Sequence, residues 1–169
     1  GWIGLTCRHF LISAFHGLHG RSITYGCGLK LARPELTVIV LKGDGACGIG
    51  GTHLLNVARR NIGIILIVAN NFNYGMTGGQ FGPTTEHARY SQTSPRPIGN
   101  LEHPFNLVKL AASSGATFVA RWTAVHARRA TASIAKGIQK EGFSFIEVVG
   151  ACPTAFGRMN RLGNGYEMH

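Results

Sequence analysis

Acid is what this sequence has least of. Among 169 residues there are seven carboxylates against 17 lysines and arginines, a net charge of +10, and Asp44 is the one aspartate. A Ser-His-Asp triad therefore has no second aspartate to draw on. Long apolar runs are missing too: the longest, Ile62 to Ala69, has eight residues, against the ~20 that span a bilayer, and Gly1-Trp2-Ile3 opens no signal-peptide pattern. No membrane association and a cytoplasmic location are expected. Cysteine is sparse. Cys7, Cys27, Cys47 and Cys152 form no C-x-x-C pair, which leaves neither a disulfide framework nor a zinc site to read, and reduced thiols are the default.

What is there reads as globular: 44% hydrophobic and 14% charged residues, with no low-complexity tract and no repeat. One domain over residues 1–169 is expected. The chain opens without methionine and stops at Tyr166-Glu167-Met168-His169, so this domain is expected to be incomplete at both ends. The positive balance favours an anionic partner. Its basic residues are scattered, with only Arg59-Arg60 and Arg128-Arg129 adjacent, and no RNA-binding or zinc-finger signature accompanies them, so no nucleic-acid partner is expected.

From residue 36 onward, short β-branched runs alternate with helical patterns. Leu36 to Lys42, Gly63 to Ala69, Thr117 to Arg121 and Phe143 to Val149 read as strands. Gly50 to Arg60, Phe105 to Ala112 and Ala124 to Lys140 read as helices, and Asn70 to His103 as one long irregular stretch. The alternation predicts an α/β fold, a mostly parallel sheet with helices on both faces. Ligands of such sheets sit beyond the carboxyl ends of the strands. Here those ends are Gly43-Asp44-Gly45 and Asn70-Asn71. A loop of more than thirty residues leaving the second of them suggests a binding loop.

Gly43-x-Gly45-x-x-Gly48 follows a strand and precedes a helix, as a dinucleotide fingerprint does. Asp44 argues against that ligand, since a carboxylate repels the pyrophosphate, and from Ala46 through Thr85 there is no acid for a ribose. A divalent cation removes both difficulties. Asp44, Asn71 and the carbonyl of Asn73 are oxygen donors suited to Mg²⁺, with positions left for phosphate oxygens and water. Taken singly, Asp44 could equally cap the following helix and Asn70-Asn71 make a turn; together, at this separation, they favour the cation.

The G-D-G and N-N pair, 24 residues apart, resembles the thiamine diphosphate motif. Within that superfamily, Gly75-Met-Thr-Gly-Gly-Gln-Phe-Gly-Pro-Thr-Thr85, Phe15-His-Gly-Leu-His-Gly-Arg21 and Cys152-Pro-Thr154 resemble the β subunit of 2-oxoacid:ferredoxin oxidoreductases. The similarity runs from about Phe15 to Gly157. It implies a thiamine diphosphate-binding fold, oxidative decarboxylation of a 2-oxoacid with coenzyme A, and electrons passed through an iron–sulfur cluster to ferredoxin. Thr77-Gly-Gly-Gln80 with Cys152-Pro-Thr154 resembles the 2-oxoglutarate branch. By position, Asp44, Asn71 and Asn73 are implied as metal ligands, and His19, Gly43, Gly45, Ala46, Gly75, Met76 and Thr77 as cofactor contacts. The glutamate that activates the aminopyrimidine comes, in this family, from the partner α subunit, so no catalytic base is assigned in this chain.

Two departures stand out. Ala46 takes the place where many family members carry a second aspartate. Of the ligands of the family's 4Fe-4S cluster only Cys152 is clearly matched, with Cys7 as a second candidate; a C-x-x-C lies upstream of the chain or has been lost. A cluster-free thiamine decarboxylase and a non-catalytic partner-binding subunit are therefore the alternatives. His16 and His19, three apart, lack a third ligand and read as structural or cofactor-contacting residues. Cys27 and Cys47 read as packing residues.

Overall fold

A computed structural model describes residues 9–168. Its four strands are β1 (Val38–Gly43), β2 (Ile64–Asn70), β3 (Phe118–Thr123) and β4 (Ser144–Val149). They form one sheet in the order β1-β2-β4-β3. All three pairings are parallel, so every strand ends at the same edge of the sheet. The helices are α1 (Ser22–Ala32), α2 (Asp44–Ile49), α3 (Gly51–Arg59), α4 (Leu107–Ser113), α5 (Ala127–Gln139) and α6 (Arg158–Asn160). Among the described residues no helix is long and apolar enough to cross a membrane.

Side-chain alternation divides the sheet into two faces. Val38 and Val40, Ile64, Leu66 and Val68, and Phe145 point to one side, where Ile23 of α1, Leu54 and Val57 of α3 and Leu107 and Ala111 of α4 complete the core. Residues one step out of phase face α5. Gly137 approaches β4 so closely that a Cβ there would stand 3.2 Å from Ile146 Cδ1. Helices thus cover both faces, as the alternation predicts.

Strand ends lie within two residues of the sequence reading, α5 starts at Ala127 rather than Ala124, and the other helices depart from it too. The helix read from Gly50 begins already at Asp44 and is broken at Gly50. Its first turn is Asp-Gly-Ala-Cys-Gly, which shows no apolar period, yet an acid there suits the helix dipole. Glycine is required at the break, because a Cβ at Gly50 would lie 2.2 Å from the Gly20 carbonyl oxygen. Helix α4 starts after Asn106, whose side chain accepts from Lys109 N at 3.1 Å, two residues later than read. Helix α1 lies upstream of the region where the alternation was read, and its two glycines dilute its pattern.

The core face ends in a polar row. One step from the carboxyl edge, Lys42 pairs in register with Val68, Val68 with Glu147, and Glu147 with Arg121. Alternation turns all four toward the α3/α4 side, where apolar packing gives way to charge.

Candidate thiamine diphosphate site

Asp44 begins α2 directly beyond β1 and is 2% exposed. Burial raises its pKa from an ordinary 3.8 to about 6, against the pull of hydrogen bonds from Thr84 and from the backbone of Asn71, Asp44 and Gly45. Its two oxygens have different surroundings. Oδ2 accepts from Thr84 Oγ1 at 2.7 Å. Oδ1 lies 3.5 Å from Asn71 N and faces the Asn71 side chain.

That side chain carries the most informative distances in the structure. One end of the Asn71 amide stands 3.2 Å from Asp44 Oδ1 and 2.8 Å from the Asn73 carbonyl oxygen. Both neighbours are acceptors, so with nitrogen at that end the amide donates to each of them, the favoured arrangement without a cation. Oxygen and nitrogen of an amide exchange places by a half-turn. With a cation between these groups the oxygen belongs at that end. Adjacent ligands of an octahedral Mg²⁺, bonded at 2.0–2.1 Å, are about 3 Å apart, and the two observed separations bracket that value. The residues present therefore fit the ion.

Asn73 supports the same corner from behind. It is 3% exposed, donates through Nδ2 to Asn71 O at 2.6 Å, and its buried Oδ1 has no hydrogen-bond partner. Gly45 is needed for a different reason. A Cβ there would stand 2.4 Å from the Tyr74 ring, whose hydroxyl donates to the Gly45 carbonyl at 3.3 Å. This contact presses the loop after β2 against the start of α2.

The other implied contacts surround this corner. Gly43 closes β1, and Ala46 is buried in α2. Gly75 lies against Asn71, since a Cβ there would be 3.3 Å from Asn71 Nδ2. Met76 and Thr77 follow on the exposed rim, the Thr77 hydroxyl bonding Gln80 Oε1 at 2.7 Å. His19 precedes Gly20, whose carbonyl accepts from the buried Lys42 Nζ at 3.1 Å; burial lowers the His19 pKa. No described contact joins His19 to Asp44 or Asn71.

Cys152 is buried beside Asn73. Burial alone would push its thiol up, but backbone N–H groups of Phe156 and Ala155 with the side chains of Asn73 and Thr154 bring it below the ordinary value. Cys47 is fully buried and pushed up to about 12 by burial, and with Cys27 it packs in the core, as the sequence reading expects. Cys7 lies outside the described residues. Among the described residues no group of three His, Cys, Asp or Glu side chains converges, so a 4Fe-4S ligand set is not assembled by them.

Sequence reasoning passed over Thr84, Asn70 as a scaffold, Glu147 and Arg121. Thr84 Oγ1 also lies 3.0 Å from Asn70 Oδ1. Asn70 Nδ2 donates to Glu147 Oε1 at 2.8 Å, and Arg121 Nε donates to Glu147 Oε2 at 2.6 Å. A glutamate in the run Phe-Ile-Glu-Val-Val was the available signal, because a carboxylate inside a buried strand requires partners.

A family profile described as the thiamine pyrophosphate enzyme, C-terminal TPP binding domain, matches residues 4–148. The chain is 50% identical over 156 residues to the 2-oxoglutarate synthase subunit KorB of Methanothermobacter marburgensis, covering 92% of this chain and 54% of that one. It is 42% identical over 150 residues to the 2-oxoacid:ferredoxin oxidoreductase subunit beta of Saccharolobus solfataricus, covering 86% and 48%. Among solved structures, the 2-oxoglutarate:ferredoxin oxidoreductase from Magnetococcus marinus, with 2-oxoglutarate, coenzyme A and succinyl-CoA bound, superposes with a TM-score of 0.77 at 35% identity over 81% of this chain and 47% of that one. The chain spans about half the length of the curated relatives it matches. With the fold, the G-D-G and N-N strand ends and these matches in agreement, the chain belongs to the thiamine pyrophosphate enzymes, within their C-terminal TPP binding domain, as a homologue of the β subunits of 2-oxoacid:ferredoxin oxidoreductases.

Proposed function

We propose that the chain holds Mg²⁺ through Asp44 Oδ1, the Asn71 amide oxygen and the Asn73 carbonyl, and through that ion the diphosphate of thiamine diphosphate. The single observation that carries this reading is the convergence of three groups where β1 and β2 end, the Asn71 amide lying 3.2 Å from Asp44 Oδ1 and 2.8 Å from the Asn73 carbonyl oxygen. His19, Gly43, Gly45, Ala46, Gly75, Met76 and Thr77 lie around it as the cofactor's contacts. When bound, the cofactor supplies a thiazolium carbanion that attacks and decarboxylates 2-oxoacids. The chain's own part is to hold: Asp44 balances the cation's charge, and the glycines let the backbone come close.

The reaction we assign is oxidative decarboxylation of a 2-oxoacid, 2-oxoglutarate first, to an acyl-CoA with electrons delivered to ferredoxin. The assignment extends the names of the relatives to this chain. Glu147 is unsuited to activating the aminopyrimidine, because Asn70 and Arg121 already engage both its oxygens. That acid is assigned to the partner α subunit. Cys152, held by N–H donors beside Asn73, is the thiolate we assign to an electron-accepting 4Fe-4S cluster whose other ligands lie outside the described residues. Iron and labile-sulfide analysis of the intact protein separates this reading from its alternative, a cluster-free thiamine decarboxylase.

The test of the metal assignment is calorimetry. Asp44→Ala in the assembled protein should abolish magnesium-dependent thiamine diphosphate binding while circular dichroism stays unchanged. Unaltered affinity in that variant would remove the reading.

A further inference from the structure

We propose that Thr84 makes the site selective for Mg²⁺ by restricting Asp44 to one coordinating oxygen. The inference rests on the cation reading given above.

The argument starts from one proton. The Thr84 hydroxyl, on a residue 3% exposed, lies 2.7 Å from Asp44 Oδ2 and 3.0 Å from Asn70 Oδ1. It can donate to only one of them. The nearer acceptor is the carboxylate, and charged acceptors form the stronger bond. Asn70 is the weaker competitor, because its acceptor oxygen is neutral and farther away. Its Oδ1 already accepts from Phe72 N at 3.0 Å, and its Nδ2 is drawn away to Glu147 Oε1 at 2.8 Å. Glu147 is fully buried and is held on its other oxygen by Arg121. The hydroxyl thus has a fixed address, Asp44 Oδ2.

The consequence lies at the other oxygen. With Oδ2 taken by a hydrogen bond, Asp44 presents Oδ1 alone to Asn71 and Asn73. Mg²⁺ requires near-ideal octahedral geometry with single-oxygen ligands, whereas Ca²⁺ accepts six to eight ligands and readily takes both oxygens of a carboxylate. A carboxylate freed from Thr84 can rotate and offer both oxygens, which suits the larger ion. Thr84 touches neither the ion nor the cofactor's diphosphate in this scheme. It is a positioning residue, and what it positions is the choice between one and two oxygens.

The experiment titrates metal-dependent thiamine diphosphate binding by calorimetry in the intact assembly, with Mg²⁺ and Ca²⁺ separately, for wild type, Thr84→Val, Thr84→Ser and Asp44→Asn. Thr84→Val should raise the half-saturating Mg²⁺ concentration about tenfold, the size of one charge-assisted hydrogen bond. Its Ca²⁺ requirement should stay within about twofold of wild type, a ratio that a general loosening of the fold does not produce. Thr84→Ser, which keeps the hydroxyl, should restore the Mg²⁺ preference. If Thr84→Val does not fold, Thr84→Ala removes the same hydroxyl without bulk and carries the same expectation. Equal shifts for the two ions, no shift for either, or a Thr84→Ser variant as altered as Thr84→Val would overturn the proposal. Asp44→Asn separates the layers. If it still binds with Mg²⁺ as wild type does, the cation reading itself falls; if it loses binding while Thr84→Val is unchanged, only the role of Thr84 falls.

Discussion

Glu147 of β4 and Arg121 of β3 occupy registered positions on adjacent strands, their side chains 2.6 Å apart, one with no exposure and the other 42% exposed. The pair connects the buried polar row to the surface, and Asn70 continues it toward the site.

Glu147 accepts from two donors on opposite sides, which only a carboxylate can do without reorientation. Glu147→Leu should therefore destabilise the protein by about 2–3 kcal/mol, chiefly by leaving the buried Asn70 amide unpaired. The exposed end of Arg121 can turn to water and limits the loss. Glu147→Gln can still accept from Asn70 while Arg121 swings out, and about 1 kcal/mol is expected. Urea unfolding compares them, and equal losses in the two variants would contradict this account.

Asp44 is held in the fold at a cost. Its pKa is raised by burial to about 6 from 3.8, so between those values the folded state keeps a proton that the unfolded chain releases. Metal-free stability should then fall as pH rises from about 4 to about 6, by about 2 kcal/mol in all. Asp44→Asn removes the ionisation, and above pH 6 without metal it should be the more stable protein, the difference closing below pH 4. Thermal melts across this range are the measurement; a less stable variant at pH 7.5 would be the contrary result.

Gly45→Ala brings a methyl group to 2.4 Å from the Tyr74 ring. The ring, and with it the start of the loop after β2, has to move. A loss of about 1–3 kcal/mol in stability is expected from overpacking, together with weaker magnesium-dependent cofactor binding, because Asn71 and Asn73 belong to the same loop. Tyr74→Ala in the same background should relieve the stability loss. Absence of that relief would show that the clash is not the cause.

Cys152→Ser should lower the iron bound by the intact protein without weakening thiamine diphosphate binding, since the proposed cluster and diphosphate sites use different residues. Iron content and calorimetry on one preparation settle the point. Identical iron in variant and wild type would end the assignment of Cys152 as a cluster ligand.

The parallel sheet, the helix α3 after β1 and the long loop were legible because strands buried on both faces write themselves as apolar runs. So was the meeting of Asp44 and Asn71: they are held where two neighbouring strands end, and parallel order brings those ends together. The polar row was not legible. Lys42, Arg121 and Glu147 each sit in an apolar strand, and their mutual register depends on the order β1-β2-β4-β3, which local sequence does not encode. Thr84 was hidden for a related reason. Its partner Asp44 is 40 residues away, and a threonine in a loop has many uses.

Asn70 and Asn71 are neighbours in sequence yet face opposite tasks. The last residue of β2 points inward to Glu147 and Thr84, while the next meets Asp44 Oδ1 and the Asn73 carbonyl. The half-turn between consecutive side chains acts as a partition, with the sheet's interior on one side and the Asp44 corner on the other. Two chemically identical amides thus divide the labour of one dipeptide: exchange at the first position is felt as lost cohesion across the sheet, and exchange at the second as a loosened corner between the ends of two strands.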